Sequence, residues 1–368
     1  MYNYDDIRPY NDSEIRPVLD KLFRDKLFRF IIKPYLKCMM PDWNRKQRKS
    51  FAEELAGQDT IEGIQELLAQ GPLEQIVKHT TNGVTSSGLE NLKSDKGYLF
   101  ISNHRDILMD SFLINYTLYN SGFQTPLNAF GSNLSFKYIE DLLRLNKSFI
   151  IKRDLKNNLR LVMKTQSNFI YEQLEEGKSV WIAQKEGRAK DGVDATNKHL
   201  IFMLYVTATQ RGLDYQQFVR KHQIVPISIS YEYEPCARRK AKELYKTQKD
   251  GYYKKGRLED FWSIREGVIS WKGNVHLAFG APLEGEFKNK DDVAAAIDKQ
   301  IIESYRLWDT NTAAHDLMYG TNFTRPEGFE KSKEFKNYLS KQPAHLRPFI
   351  EQIYAAPVHS KLKLENKL

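Results

Sequence analysis

The 368-residue chain is poor in cysteine and has no long apolar run. Its two cysteines, Cys38 and Cys236, are far apart, which argues against a disulfide framework or a zinc site and favours a reducing compartment. No stretch approaches the roughly 18 apolar residues of a membrane-spanning helix, and residues 1–6 lack the basic and apolar regions of a secretory signal. We therefore expect a cytoplasmic protein that meets lipid only peripherally, on the inner face of the membrane.

Negative charge is in deficit, because 56 Lys and Arg face 47 Asp and Glu, for a net charge of +9. This excess favours anionic partners such as an anionic membrane surface, an acidic carrier protein, a phosphorylated substrate or nucleic acid. No nucleic-acid-binding motif accompanies the basic residues, so we expect no nucleic-acid partner. A hydrophobic content of 41% is enough to exclude a disordered chain.

Residues 1–83 are predicted to form an N-terminal helical module, because apolar residues recur at helical spacing from about residue 13 to residue 80. Lys and Arg flank the first apolar stripe, a basic amphipathic pattern that suits the surface of an anionic bilayer. A helix that packs on its own domain gives the same pattern, so both interpretations stay open at this point.

Residues 84–284 change to short apolar runs separated by helical stretches. This alternation predicts an α/β domain with a layered, largely parallel or mixed sheet flanked by helices. The predicted strands are 98–102, 148–151, 179–183, 224–230 and 274–279. A basic insertion at about 238–257 is either a solvated helix and loop or a contact for an anionic surface or carrier protein. Residues 285–368 are predicted to be a helical extension.

The first predicted strand is followed directly by a histidine and two carboxylates, His104, Asp106 and Asp110. A helical pattern begins just after them, and Asp110 or Ser111 is placed to cap its first turn. Ligand-binding and catalytic groups collect where strands of open α/β sheets end. The segment is therefore a candidate site for a general base.

Basic clusters follow the next two predicted strands. Lys152 and Arg153 come directly after the second strand, and Glu186, Gly187 and Arg188 come shortly after the third. If the strands are parallel, these clusters lie at the same sheet edge as the histidine. Arginine binds phosphate oxygens through two hydrogen bonds, and glycine lets the backbone approach a ligand closely. The pattern predicts a general base beside a phosphate-binding site.

These motifs, in this order, resemble those of the glycerol-3-phosphate and lysophosphatidate acyltransferases, the lysophospholipid acyltransferase superfamily. The resemblance covers about residues 84–284. Its four blocks are matched by His104 with Asp110, by Ser148 to Arg153, by Val180 to Arg188, and by the apolar run Ile224 to Glu232 around Pro226.

Two departures indicate a divergent bacterial-type member of that family. Five residues separate His104 from Asp110 where the family usually has four, so Asp106 could take the place of Asp110. Gly187 and Arg188 are adjacent, whereas the family usually places one residue between them.

The resemblance implies transfer of a fatty acyl group from acyl-CoA or acyl-acyl-carrier-protein to a hydroxyl of glycerol 3-phosphate or a lysophospholipid, with no metal and no further cofactor. His104 would be the general base, and Asp110, or alternatively Asp106, would orient its ring. Pro226 would shape the pocket. The side chains and backbone expected to bind the acceptor are those of Lys152, Arg153, Glu186, Gly187 and Arg188.

Two other functions stay open from the sequence. One is an acyltransferase for a lyso-lipid without phosphate, such as an amino-acid lipid. The other is a basic protein that binds membrane lipid without turnover.

Overall fold

A computed structural model describes residues 2–132, 138–152, 159–256 and 258–367. Within them one mixed sheet runs in the order β1-β7-β6-β2-β5-β3-β4. The strands are β1 (Gly83–Ser87), β2 (Leu99–Ser102), β3 (Leu127–Gly131), β4 (Ser148–Ile151), β5 (Val180–Ala183), β6 (Ile224–Tyr231) and β7 (Asn274–Phe279). Strands β2 to β6 are parallel to one another, whereas β7 is antiparallel to β6 and pairs in parallel with β1. The predicted α/β class and mixed sheet are confirmed.

Helices precede the sheet, connect its strands and follow it. Those before β1 are α1 (Asp12–Arg24), α2 (Lys26–Met39), α3 (Arg45–Ala56), α4 (Ile61–Leu68) and α5 (Glu74–Thr80). Those between strands are α6 (Met109–Asn120), α7 (Ile139–Leu145), α8 (Leu159–Glu175), α9 (Lys198–Gln210), α10 (Tyr215–His222), α11 (Ala237–Asp250) and α12 (Glu259–Ile269). After β7 come α13 (Lys290–Ser304), α14 (Asp309–Tyr319), α15 (Phe329–Ser340) and α16 (Arg347–Leu364).

Two of the seven strands are absent from the sequence prediction, and both lack an apolar run. Strand β1 reads Gly-Val-Thr-Ser-Ser at an edge of the sheet, and its last three residues are exposed. Strand β3 reads Leu-Asn-Ala-Phe-Gly, with an asparagine and a glycine that are both rare in strands. The five predicted strands begin and end within one residue of the observed ones.

The sheet lies between two apolar layers because side chains alternate along each strand. In β2, Leu99 and Ile101 join the layer formed with α8, α9, α10 and α13. Phe100 joins the opposite layer, formed with α2, α5, α6 and α12. Each fully buried Leu, Ile or Phe contributes about 1.5–3 kcal/mol, so this central strand is held firmly between its neighbours.

Of the described helices, none is long and apolar enough to cross a membrane.

The last helices pack on the basic segment that precedes α12. Helices α14, α15 and α16 share an apolar cluster with Ala237 and Ala241 of α11, and the Tyr354 hydroxyl of α16 accepts a hydrogen bond from the Glu234 amide. The predicted boundaries at residues 83 and 284 stay predictions.

Candidate active site

The loop after β2 is attached to the neighbouring strand by Asn103. Its side-chain oxygen accepts a hydrogen bond from the Ile229 amide at 2.8 Å, and its amide nitrogen donates to the Ile229 carbonyl at 3.0 Å. Asn103 thereby takes the place of one more residue pair between β2 and β6. The chain leaves the carboxyl end of β2 in a defined direction, with His104 next.

The ring of His104 contacts Asp110 in the first turn of α6. Nδ1 of the histidine lies 2.9 Å from Oδ2 of Asp110, a carboxylate with no exposed surface. The same oxygen accepts hydrogen bonds from the Arg105 amide at 2.6 Å and the Asp106 amide at 2.9 Å, and Oδ1 accepts from the Tyr231 hydroxyl at 2.9 Å. A proton on Nδ1 leaves the Nε2 lone pair of His104 available as a base.

Asp106 does not contact the histidine and instead accepts hydrogen bonds from backbone amides at the start of α6. Its Oδ1 accepts hydrogen bonds from the Leu108 amide at 3.0 Å and the Met109 amide at 2.9 Å. The expectation that Asp110 or Ser111 caps the helix is therefore wrong, because α6 starts at Met109, earlier in the chain than the pattern indicated, and both residues lie inside it. Burial, and then the charge of Asp110, raise the pKa of Asp106.

A buried network of charges ties this loop to the rest of the domain. The Arg105 side chain is fully buried and donates to Asp194 at 2.5 Å and to the Gly192 carbonyl at 3.2 Å. The Lys240 ammonium of α11 donates to the Arg105 carbonyl at 2.7 Å and to Glu234 at 2.5 Å. Removing one partner of a buried ion pair costs about 3–5 kcal/mol, so the network holds the histidine loop in place.

The loop after β5 lies beside the histidine. The Gln184 amide donates to the Ser102 carbonyl, and the Ala189 amide donates to the His104 carbonyl, both at 2.7 Å. Gly187 has a φ of +74°, a left-handed conformation that L side chains rarely adopt. Nη1 of Arg188 is buried and has no hydrogen-bond partner among the described residues. A buried guanidinium N–H without a partner is a ready donor for an anion.

A cavity of about 520 Å³ opens at this sheet edge. His104, Gly187 and Arg188 line it, together with a largely apolar wall: Ala129, Phe130, Ile151, Leu159, Met163, Trp181, Ile182, Leu200 and Met203. Its volume is in the range of small-molecule sites. An apolar wall of this kind suits an alkyl chain, and the polar end suits its reacting group.

The other predicted site residues differ in whether they line the cavity. Lys152 lines the cavity, but its ammonium pairs with Asp6 at 2.8 Å. Glu186 is exposed and also lines the cavity. Pro226 lies in the buried strand β6 and is not among the described residues of the cavity wall, so its predicted role in shaping the pocket is not one of direct lining. Arg153 lies outside the described residues.

Two residues of the site were missed from the sequence. Tyr231, which donates to Asp110, lies at the end of β6, and that role depends on the pairing of β2 with β6 across more than 120 residues. The indole ring of Trp181 lies 6.4 Å from the His104 ring, edge to face, and its N–H donates to Ser102 Oγ at 3.0 Å. The available signal was a polar or aromatic residue within or at the end of an apolar strand. Among the described residues, no group of three or more His, Cys, Asp or Glu could hold a metal ion.

One solved structure, one relative in sequence and one family model are similar to this chain. The crystal structure of the 1-acyl-sn-glycerophosphate acyltransferase PlsC from Thermotoga maritima is similar over 79% of this chain and 95% of that chain, with 16% identity and a TM-score of 0.40. The glycerol-3-phosphate acyltransferase of Baumannia cicadellinicola subsp. Homalodisca coagulata is 23% identical over 273 residues, or 72% of this chain. This chain spans 32% of that relative's length. Residues 83–230 match the family model described as Acyltransferase. Over these residues the chain is therefore similar to the acyltransferase family, in agreement with its motifs, which resemble those of the glycerol-3-phosphate and lysophosphatidate acyltransferases.

Proposed function

We propose that the chain is an O-acyltransferase that moves a fatty acyl group from a thioester to a hydroxyl of glycerol 3-phosphate or a lysophospholipid. The observation that carries the proposal is one cavity lined by both His104, paired with Asp110, and Arg188, which has an unpartnered Nη1. A base and an unsatisfied cation at the end of an apolar cavity match an acceptor that carries a hydroxyl and a phosphate.

The reaction needs one proton shuttle and no nucleophile from the protein. Nε2 of His104 takes the proton of the acceptor hydroxyl as its oxygen attacks the thioester carbonyl. Asp110 stabilises the imidazolium that forms. When the tetrahedral intermediate collapses, the C–S bond breaks, the imidazolium returns the proton to the departing sulfur, and an ester and a free thiol result.

Arg188 supplies binding specificity in this proposal. Its guanidinium would donate to the acceptor phosphate, and such charge-assisted hydrogen bonds contribute about 1.5–3 kcal/mol. The left-handed turn at Gly187 leaves open space above the backbone, because a Cβ there would meet no atom within 4 Å. The apolar wall would take the acyl chain.

We also propose that α2 places the protein on an anionic bilayer. One face of this helix packs inward through Phe28, Leu36 and Met39. A second apolar stripe, Leu27, Phe30 and Ile31, is exposed, with Phe30 76% exposed. The side chains beside that stripe are basic and exposed: Lys26, Arg29, Lys33 and Lys37. Exposed apolar residues flanked by cations are typical of helices that lie in a membrane interface.

Sedimentation with anionic vesicles tests the membrane proposal. The double variant Leu27→Ser/Phe30→Ser should lose most of the binding, whereas Leu317→Ser/Phe329→Ser, which removes two other exposed apolar side chains, should keep it. Equal binding by both double variants would rule out α2 as the contact.

A panel of acceptors and donors tests the catalytic proposal. The purified protein is incubated with palmitoyl-CoA or palmitoyl-acyl-carrier-protein and with glycerol 3-phosphate, lysophosphatidate, glycerol or a phosphate-free lyso-lipid, and products are identified by mass. A phosphate-bearing acceptor should gain one acyl group for each thiol released. Product from phosphate-free acceptors alone would support the amino-acid-lipid alternative. Absence of product from every pair would support a lipid-binding protein without turnover.

A further inference from the structure

A second groove, of about 410 Å³, lies between α11 and residues 343–346. Its α11 side is basic, with Arg238, Arg239, Lys242 and Lys246, and His345 faces it from the other wall. None of these residues lines the catalytic cavity. The groove is therefore a separate feature that the proposed reaction leaves unexplained.

The basic residues of α11 form one stripe. Arg238, Lys242, Lys246 and Lys249 are spaced by four, four and three residues, so they share one face of the helix. The stripe extends roughly 16 Å along the axis at 1.5 Å per residue. We call these four residues the α11 stripe.

The α11 stripe has no ion-pair partner in the part of the chain that the structure describes. All four side chains are exposed, and none forms an ion pair with a carboxylate of the described residues. Two glutamates of this region are already paired: Glu266, which lines the groove, with Arg239, and Glu243 of α11 with Lys190. Lys246 and Lys249 lie over the rings of Tyr253 and Tyr245, respectively.

The groove is next to the catalytic cavity. Glu243, adjacent to Lys242 in the chain, lines the cavity, and so do Lys190 and Asp260. Helix α12 also contributes to both, with Asp260 at the cavity and Glu266 at the groove. A partner bound along the α11 stripe would therefore lie on the same helix that contributes Glu243 to the cavity wall.

We propose that the α11 stripe docks an acidic acyl-carrier protein, which delivers its thioester-bound acyl chain into the adjacent cavity. This inference rests on the proposed function and names the donor that the site takes. A stripe of four cations over roughly 16 Å complements an acidic protein helix better than the compact phosphates of a free nucleotide carrier. A bilayer is the poorer fit, because the stripe has none of the exposed aliphatic residues that α2 presents.

Charge reversal with a matched control tests the docking. The test variant is Arg238→Glu/Lys242→Glu. The control is Lys93→Glu/Lys96→Glu, which makes the same change in net charge at two exposed lysines before β2, at the sheet edge opposite His104. Binding of labelled palmitoyl-acyl-carrier-protein is measured by fluorescence anisotropy at low and high salt, and thermal unfolding checks that both variants fold.

The test variant should weaken carrier binding about tenfold or more, because apposed like charges repel, and high salt should shrink the difference. The control should change binding less than about twofold. With palmitoyl-acyl-carrier-protein as donor, the test variant should raise KM without lowering kcat, and with palmitoyl-CoA both constants should match the wild type.

Equal weakening by both double variants would overturn the docking site, as would loss of anionic vesicle binding by the test variant with carrier binding intact. Turnover of palmitoyl-CoA by a wild-type protein that does not bind the carrier would overturn the docking but leave the proposed function standing. Carrier binding that depends on the stripe, without turnover of any donor, would support the docking site and contradict the proposed function.

Discussion

Two loops at one sheet edge carry the site, and the Asp110 carboxylate at the first differs from the Arg188 guanidinium of the second in how completely it is hydrogen-bonded. In the loop after β2, the Asp110 carboxylate accepts hydrogen bonds from two backbone amides, a tyrosine hydroxyl and the His104 ring. In the loop after β5, Arg188 keeps a buried N–H without a partner in the described chain. The His104–Asp110 pair is therefore hydrogen-bonded before substrate arrives, whereas Arg188 has a donor that an anion would satisfy.

This difference predicts that one loop acts on the transition state and the other on substrate binding. A preorganised base and its carboxylate act on the transition state, so their loss should lower kcat. A cation with an unpartnered N–H binds the anionic group of the acceptor, so its loss should raise the acceptor KM. The variants below probe that division.

His104→Ala should have the largest effect. Removal of the base should lower kcat by about 10³-fold or more, while thermal unfolding stays close to the wild type because the ring is on the cavity wall. His199 also lines the cavity, so His199→Ala is the matched control and should change kcat less than about threefold. Comparable losses from both variants would remove the special role of His104.

Asp110→Asn should have the next largest effect. An amide can still accept from the backbone but cannot stabilise the imidazolium, so kcat should fall by about 10²- to 10³-fold with little change in acceptor KM. A pH profile of kcat accompanies the measurement. An unchanged kcat would show that the contact with the ring is only structural.

Arg188→Gln should act mainly on binding. Loss of one or two charge-assisted hydrogen bonds should raise the KM for a phosphate-bearing acceptor by about 10- to 100-fold, with kcat within about threefold of the wild type. Lys185→Gln is the control, because Lys185 also lines the cavity but donates to the Val193 carbonyl. A fall in kcat at unchanged KM would show that Arg188 acts on the transition state, as His104 and Asp110 are expected to do.

Asp106→Asn should have the smallest effect on activity, because the amide oxygen can still accept from the Leu108 and Met109 amides. Its effect is on stability. The pKa of Asp106 is raised in the fold by burial and by Asp110, so the folded protein holds that proton more tightly than the unfolded chain. This contribution is present below the ordinary pKa of 3.8 and is lost as pH rises through the folded pKa.

The measurement is urea unfolding of wild type and Asp106→Asn across that range. The variant should gain stability relative to the wild type as pH rises from 4 towards 7, and kcat should stay within about threefold. A variant that loses stability steadily over the same range would mean that the ionised carboxylate is favourable in the fold.

The parts of the site that sequence predicted are those adjacent to strand ends. His104, Lys152 and Arg188 come at or shortly after the ends of apolar runs. The parallel pairing of β2 with β5, of β5 with β3 and of β3 with β4 brings the ends of those runs together. The choice between Asp106 and Asp110 stayed open because it depends on where α6 begins, which is decided by hydrogen bonds in the loop.

The parts that sequence did not predict depend on contacts between distant segments. Tyr231 reaches Asp110 only because β6 lies next to β2, and the buried Arg105 needs Asp194, Glu234 and Lys240 from two separate stretches of chain. Before that pairing is known, Arg105 resembles any charged residue in a loop.

The central claim is that one loop performs the proton transfer and the other selects the phosphate. It is tested most directly by kcat/KM for a phosphate-bearing acceptor and its phosphate-free analogue, glycerol 3-phosphate with glycerol or lysophosphatidate with monoacylglycerol. Wild type, Asp110→Asn and Arg188→Gln are compared in one assay. We predict that Asp110→Asn lowers both values by the same factor, whereas Arg188→Gln removes the preference for phosphate. A full preference in Arg188→Gln, or an altered preference at an unchanged rate in Asp110→Asn, would contradict the account.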